Sequence, residues 1–229
     1  GLDLLQRLLP PLAGGPDHEQ IRAVPTAHEH VDRRPVGGDP LLEQLAERGC
    51  QVDLGEKRVL FPPGLVEECL RQCPSCFMLR ARDRDKDLMV GGDTVYFMQG
   101  MGMRHVDLET WETRPATTAE HREAMIVADA LENIDWVMPM GSSQDVPALA
   151  ADVHEFEAVV THTTKPIIFI GYTPRGVELV FEMAAEVAGG LDKLRERPFA
   201  LLYPEPISPL VQPEDVVDRI FVAADLGMP

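Results

Sequence analysis

Glu205 stands between Pro204 and Pro206, directly after the apolar run 199–203, where a rigid turn would aim a carboxylate outward from the end of a strand. Tyr203 precedes it by two positions, so strand alternation sends both side chains to one side and Pro204 to the other. Tyr172 follows the apolar run 167–171 in the same way, Gln99 follows 95–98, and Ser142-Ser143-Gln144 follows 134–140. A carboxylate together with phenol faces suits a bound cation. The competing reading makes Glu205 a loop carboxylate capping a backbone N–H and Tyr203 a strand-lining core residue. Tyr172, Gln99 and Gln144 would then only satisfy their own loops.

Other reactive types are placed less well. His162 belongs to a helix-to-strand loop, at the opposite ends of the strands from Glu205, and reads as structural. His105 sits beside the end of the first strand but within a hairpin that can swing it outward. His154 and Glu155 fall outside the helical stripe Leu149, Val153, Phe156 and Val160 and read as a solvated face. Cys73-Pro74-Ser75-Cys76 is a CxxC, yet zinc needs four ligands and there is no second CxxC or HxxxH pair, so no metal site is assigned. Cys69 and Cys73 share a helical spacing, and the cysteines are expected to be free thiols.

These strand-end residues need elements to hold them. Residues 1–40 are dense in Pro and Gly, leaving room for one short helix around residues 2–9 in an otherwise irregular arm. Residues 41–95 read as a small α+β region. It holds a helix on Leu41, Leu42, Leu45 and Ala46 ended by Gly49, a hairpin around Leu54-Gly55-Glu56, a helix entered through Pro62-Pro63, and then further strands. From residue 96 onward apolar runs near 96–99, 134–140, 167–171 and 199–203 alternate with helical patterns. Trp136, Ile168 and Leu201 are spaced as one βα unit per step. Thr117 with Glu120 forms a capping box ahead of Ala124, Val127, Ala128 and Leu131. Thr173-Pro174 starts a helix on Val177, Val180, Phe181 and Ala184 that Gly189-Gly190 ends, and Pro213-Glu214-Asp215 opens a last one that Gly227 closes. No GxGxxG turn follows the first strand, since His105 stands where the third glycine belongs, which favours a barrel over a dinucleotide fold. The expected fold is therefore α/β: residues 96–229 as the first half of a (β/α)8 TIM-type barrel, incomplete because four strands cannot close eight. An open half-barrel exposes two sheet edges, so a homo-oligomer is expected.

Composition narrows the function classes. With 45% hydrophobic and 26% charged residues the chain has the makings of a real core. A net charge of -17 repels phosphate backbones and excludes a nucleic-acid binder, favouring small cations or basic partners. No window is apolar enough for a membrane span and no signal peptide is visible, so a cytoplasmic protein is expected.

Several strings then resemble the trimethylamine methyltransferase family in order and spacing: Arg114-Pro115-Ala116-Thr117, Asn133-Ile134-Asp135, Thr163-Thr164-Lys165-Pro166 and Glu205-Pro206-Ile207-Ser208-Pro209-Leu210. Asp107-Leu108-Glu109-Thr110, Pro62-Pro63 with Val66-Glu67-Glu68, and Ala188-Gly189-Gly190 extend the likeness over residues 41–229. The resemblance implies a (β/α) barrel that transfers a methyl group from trimethylamine, glycine betaine or a related methylated amine to the cobalt of a corrinoid (cobalamin), which a cognate partner protein carries. No cofactor would be bound covalently to this chain. It also implies that archaeal members carry a pyrrolysine in the second half of the barrel. Such an enzyme must hold a cationic amine with one methyl aimed at the cobalt and exclude water. Glu205, Tyr203, Tyr172, Gln99 and Gln144 become the expected substrate-binding residues, while no catalytic residue is assigned. Met98, Met101, Met103, Met138 and Met140 would be corrinoid-side lining or ordinary core. The rival reading is a truncated, noncatalytic relative that binds quaternary amines or serves as an assembly piece.

Overall fold

The computed structural model describes residues 20–24, 39–102 and 104–229. It divides into two compact units, residues 1–74 with 204–226, and residues 75–203 with 227–229. The segment after Tyr203 contributes its strand and helix to the same unit as the N-terminal elements.

In the first unit the sequence signals resolve as read for residues 41–74. Helix α1 (Asp39–Glu47) ends at Gly49, whose φ of 84° is the left-handed geometry a Cβ disfavours. Strands β2 (Gln51–Asp53) and β3 (Arg58–Leu60) form the hairpin, tightened by the Asp53 carboxylate, which accepts from the N–H groups of Gly55 and Glu56. Helix α2 (Pro63–Gln72) starts on its proline. Two strands were not visible in the sequence. β1 (Gln20–Val24) lies within the segment expected to be an irregular arm, and β10 (Val211–Pro213) lies in the Pro-rich stretch before the last helix. The sheet order is β10-β1-β3-β2, with β1 parallel to β3 and antiparallel to β10. Each of these strands finds its partner far away in sequence, so no local turn signal announces it. Helix α7 (Glu214–Leu226) adds Val217 to a core of Leu41, Leu42, Leu45, Cys50 and Val59. The short helix expected near residues 2–9 lies outside the described residues.

The second unit begins with a hairpin of β4 (Cys76–Leu79) and β5 (Leu88–Gly91). Asp87 anchors it, accepting from the Ala81 N–H at 2.9 Å, Arg80 at 2.9 Å and Arg197 at 2.5 Å. A second hairpin pairs β6 (Arg104–Val106) with β7 (Thr113–Pro115), its turn closed by the Asp107 carboxylate on the N–H groups of Glu109 and Thr110. The apolar runs then pair in chain order, each parallel to the next. Met98 bridges Trp136, Val137 bridges Ile167, and β8 (Ile167–Phe169) pairs with β9 (Ala200–Leu202). The regular strands are shorter than expected, and 96–99 contributes a single bridge residue rather than a strand.

Parallel neighbours need crossovers, and helices supply them. Helix α3 (Thr118–Ala130) precedes the Trp136 segment, α4 (Ala151–Val160) lies between that segment and β8, and α5 (Pro174–Ala188) with α6 (Leu191–Glu196) connects β8 to β9. The chain is thus α/β. Phe169 of β8 sits edge-on between Phe156 of α4 and Phe181 of α5, with ring centroids 5.6 and 5.2 Å apart. Each such buried aromatic contributes about 1.5–3 kcal/mol of apolar burial. Val177, Val180, Phe181 and Ala184 form the expected buried stripe of α5, and the Thr173 hydroxyl accepts from the Gly176 N–H as its cap. Helix α3 carries the expected capping box, but its inner face is Thr118, His121, Met125 and Ala128, while Val127 and Leu131 are exposed. Tertiary contact with the loop at Asp145, which accepts from both the Thr118 N–H and hydroxyl, rotates the helix away from its purely apolar stripe.

Candidate functional site at the ends of the parallel strands

The C-terminal ends of the Trp136 segment and β8 lead into Gly141-Ser142-Ser143 and Gly171-Tyr172, and helix α4 packs against β8. Two carboxylates of α4, Asp152 and Glu155, are each only 1% exposed. They were expected on a solvated face or not singled out at all, and Glu155 requires a correction. Glu155 Oε1 accepts from the Ser143 backbone N–H at 2.7 Å, and Oε2 accepts from the Tyr172 hydroxyl at 3.0 Å. The Tyr172 oxygen lies 2.7 Å from Ser142 Oγ. Asp152 Oδ2 accepts from the Tyr172 N–H at 2.8 Å, and its other oxygen accepts from the Val153 N–H. Gly176 leaves room for this carboxylate, since a methyl group there would overlap Asp152 Oδ2.

Burial pushes the Glu155 carboxyl up to about 7 and Asp152 adds to the shift, while the Ser143 N–H and the Tyr172 hydroxyl oppose it. Burial also raises the Tyr172 phenol far above its ordinary value, so it stays protonated and can donate. On α3, His121 is buried with neither ring nitrogen paired among the described residues, and burial lowers its pKa, which favours neutral imidazole.

Of the residues expected from sequence, Tyr172 is at the centre of this cluster and half-buried. Gln144 adjoins it but is exposed, its N–H donating to Ala116 O and its amide to Ser142 O, so it serves its own loop. Gln99 is half-buried and donates to Met138 O, while its own Oε1 is buried with no partner among the described residues. Tyr203 pairs its N–H with Phe169 O, continuing the β8–β9 ladder, but its side chain is 46% exposed rather than lining an interior. Glu205 lies in the first unit with a φ of 50° and is exposed. It borders an open cavity of about 630 Å³ shared with Glu214, Asp215, Asp218 and Arg219. Tyr203 belongs to the second unit and Glu205 to the first.

His162, at the other ends of the strands, contacts Ala158 O and Thr161 Oγ1. His105 binds Glu120 at 2.8 Å, which also accepts from the Thr117 N–H and from Arg114. Of the methionines, Met138 is buried, Met98 and Met140 are partly buried, Met101 is exposed, and Met103 lies outside the described residues. Among the described residues no group of His, Cys, Asp and Glu is placed to hold a metal ion, and the four cysteines form no disulfide.

The missed residues left a trace in the sequence. Asp152, Phe156 and Val159 lie at i, i+4 and i+7, and Glu155 with Val159 at i, i+4, so both acids share the face of a core phenylalanine. Of the expected stripe, Phe156 and Val160 are buried, while Leu149 precedes the α-helix and is exposed.

A model of the family described as trimethylamine methyltransferase (MTTB) matches residues 36–229. The chain belongs to the trimethylamine methyltransferase family. It is 35% identical over 190 residues to a trimethylamine methyltransferase MttB of Desulfitobacterium hafniense, covering 82% of this chain and 38% of that protein. It is 28% identical over 221 residues to an MttB of Methanosarcina thermophila, covering 93% of this chain and 46% of the relative. A glycine betaine methyltransferase of Desulfitobacterium hafniense is 25% identical over 190 residues, covering 82% and 39%. The chain therefore spans less than half the length of the known relatives it matches. No helix of the described residues is long and apolar enough to cross a membrane.

Proposed function

We propose that these residues form the N-terminal part of a cytoplasmic methyltransferase that moves a methyl group from trimethylamine, glycine betaine or a related methylated amine to a corrinoid carried by a partner protein. In this reading the parallel run from Met98 through Trp136, β8 and β9 is the first half of a (β/α)8 barrel. The observation that carries it is the Ser142–Tyr172–Glu155 cluster at the C-terminal ends of strands that pair in chain order, the place where barrel enzymes build their sites.

The residues fit a cationic amine. Two buried carboxylates stand behind a half-buried phenol, so the local field favours a positive ligand and opposes an anionic one. A methyl group leaves nitrogen by in-line displacement, and the reduced corrinoid supplies the nucleophile. What this chain contributes is holding the amine, orienting one methyl and excluding water. Tyr172 and Ser142 would face the amine, Gln99 would border it, and Tyr203 and Met101, exposed at ends of the same ladder, offer apolar surface toward the partner's macrocycle. Glu205 and its neighbours Glu214, Asp215 and Asp218 form an acidic cluster of the first unit that adds to the chain's negative charge.

The test is a spectrophotometric methyl-transfer assay with reduced cobalamin and each of trimethylamine, glycine betaine, carnitine and proline betaine. It is run on the longest natural polypeptide containing these residues. Methylation with one amine and loss of it in Tyr172→Ala is the expected result. No methylation with any of the four, together with no heat of binding, would overturn the proposal.

A further inference from the structure

We infer that Glu155 is a positioning residue that turns the protons of Tyr172 and Ser142 inward, so that their oxygens meet a bound methylated ammonium as acceptors only. The identity of the ligand rests on the function proposed above. The direction of the protons does not.

A phenol has one proton. With the Tyr172 hydroxyl donating to Glu155 at 3.0 Å, its 2.7 Å contact with Ser142 must use the serine proton, so the relay runs Ser142 to Tyr172 to Glu155. The other Glu155 oxygen is committed to the Ser143 N–H at 2.7 Å, which fixes the carboxylate in place. Both hydroxyl protons are then consumed within the cluster, while lone pairs on Tyr172 and Ser142 meet no further donor among the described residues. A fully methylated ammonium carries its positive charge on C–H groups and has no N–H to offer, so it is best met by oxygens with no proton facing it. In the reverse relay a protonated Glu155 would donate to Tyr172, Tyr172 to Ser142, and the serine proton would face the ligand. The Glu155 carboxyl, raised to about 7 by burial, is poised where an approaching cation favours the ionised, inward-directed state.

Tyr172 is tethered a second time, because its N–H donates to Asp152 at 2.8 Å and the next residue caps α5. Changing Glu155 therefore alters which way the protons point more than where the ring lies. In Glu155→Gln the Ser143 N–H still requires an oxygen, so the amide NH2 would face Tyr172 and reverse the relay with little change in volume.

Two measurements on the full chain test this. The chain has three tyrosines, so Tyr96→Phe/Tyr203→Phe isolates Tyr172. The intensity ratio of its ultraviolet resonance Raman doublet at pH 8 then reports donor against acceptor character. Adding Ser142→Ala removes the donor to Tyr172 in the inward relay, so the ratio should move toward a pure donor. Movement toward acceptor, or none, overturns the relay, and this readout does not depend on Glu155→Gln folding. In the second measurement, calorimetry with tetramethylammonium, Glu155→Gln should weaken binding about tenfold or more. Glu157→Gln, which removes the same charge from a partly exposed pair with Arg122, should change it less than about twofold. Equal losses in both variants overturn the positioning role. If the parent chain binds no tetramethylammonium, the ligand assignment and the proposed function fail, and the Raman ratio alone decides the relay.

Discussion

The Tyr172 hydroxyl donates to the buried Glu155 carboxylate at 3.0 Å, joining the loop after β8 to helix α4 through a residue whose other oxygen holds the Ser143 backbone. One carboxylate thus ties together the ends of two parallel strands. Tyr172→Phe removes a donor from a buried acid and should lower unfolding free energy by about 1–3 kcal/mol. Urea denaturation at pH 7 measures it, and a loss below a few tenths would mean the bond contributes nothing.

The same acid predicts a pH dependence of stability. Its folded pKa of about 7 lies above the ordinary 4.5, so the folded state holds the proton more tightly than the unfolded one. Its contribution is most favourable below about 4.5 and declines as pH rises through 7. The stability of Glu155→Gln relative to the parent should therefore improve steadily from pH 5 to pH 8 in parallel denaturation curves. An opposite slope would show that Glu155 is ionised and satisfied throughout.

A cation near Glu155 favours its charged form, so cation binding should release protons at pH 7 and strengthen as pH rises toward 8. Asp152 and Tyr172 face the same carboxyl, but the phenol stays protonated across this range. Calorimetry of tetramethylammonium in two buffers of different ionisation enthalpy checks the sign. Proton uptake on binding would contradict it.

Glu205 is exposed, which limits its effect. Glu205→Gln should weaken binding of the amine substrate by less than about 1 kcal/mol, and the difference should shrink at high salt. A salt-independent loss of several kcal/mol would place Glu205 in direct contact with the ligand.

Gly176 is needed for Asp152 rather than for its turn, since its added Cβ would meet the Asp152 carboxylate. Gly176→Ala should destabilise the protein by about 1–3 kcal/mol. The penalty should be largely absent when Asp152→Ala is already present. A double-mutant cycle reads the coupling directly, and additive losses would refute it.

The sequence by itself determined the elements whose signals are local. The capping box at Thr117, the Thr173-Pro174 start and Gly189 stop of α5, and the α1 and α2 boundaries all depend on neighbours within a few residues, and all appear where the sequence places them. The spacing of Trp136, Ile168 and Leu201 likewise announced parallel βα units, and Tyr172 could be found because it follows an apolar run. Tertiary structure decided the rest. Pairing of β1 with β10 joins residues nearly two hundred positions apart, and no periodicity within either strand encodes a partner at that distance. The inward face of α3 was set by docking on Asp145, and that of α4 by Asp152 and Glu155, of which Glu155 reads as a surface residue because isolated carboxylates avoid burial. Only when the Ser143 and Tyr172 donors are brought against Glu155, and the Tyr172 N–H against Asp152, does burying those charges become tolerable, and those donors are supplied by strand ends that meet α4 only in the folded chain.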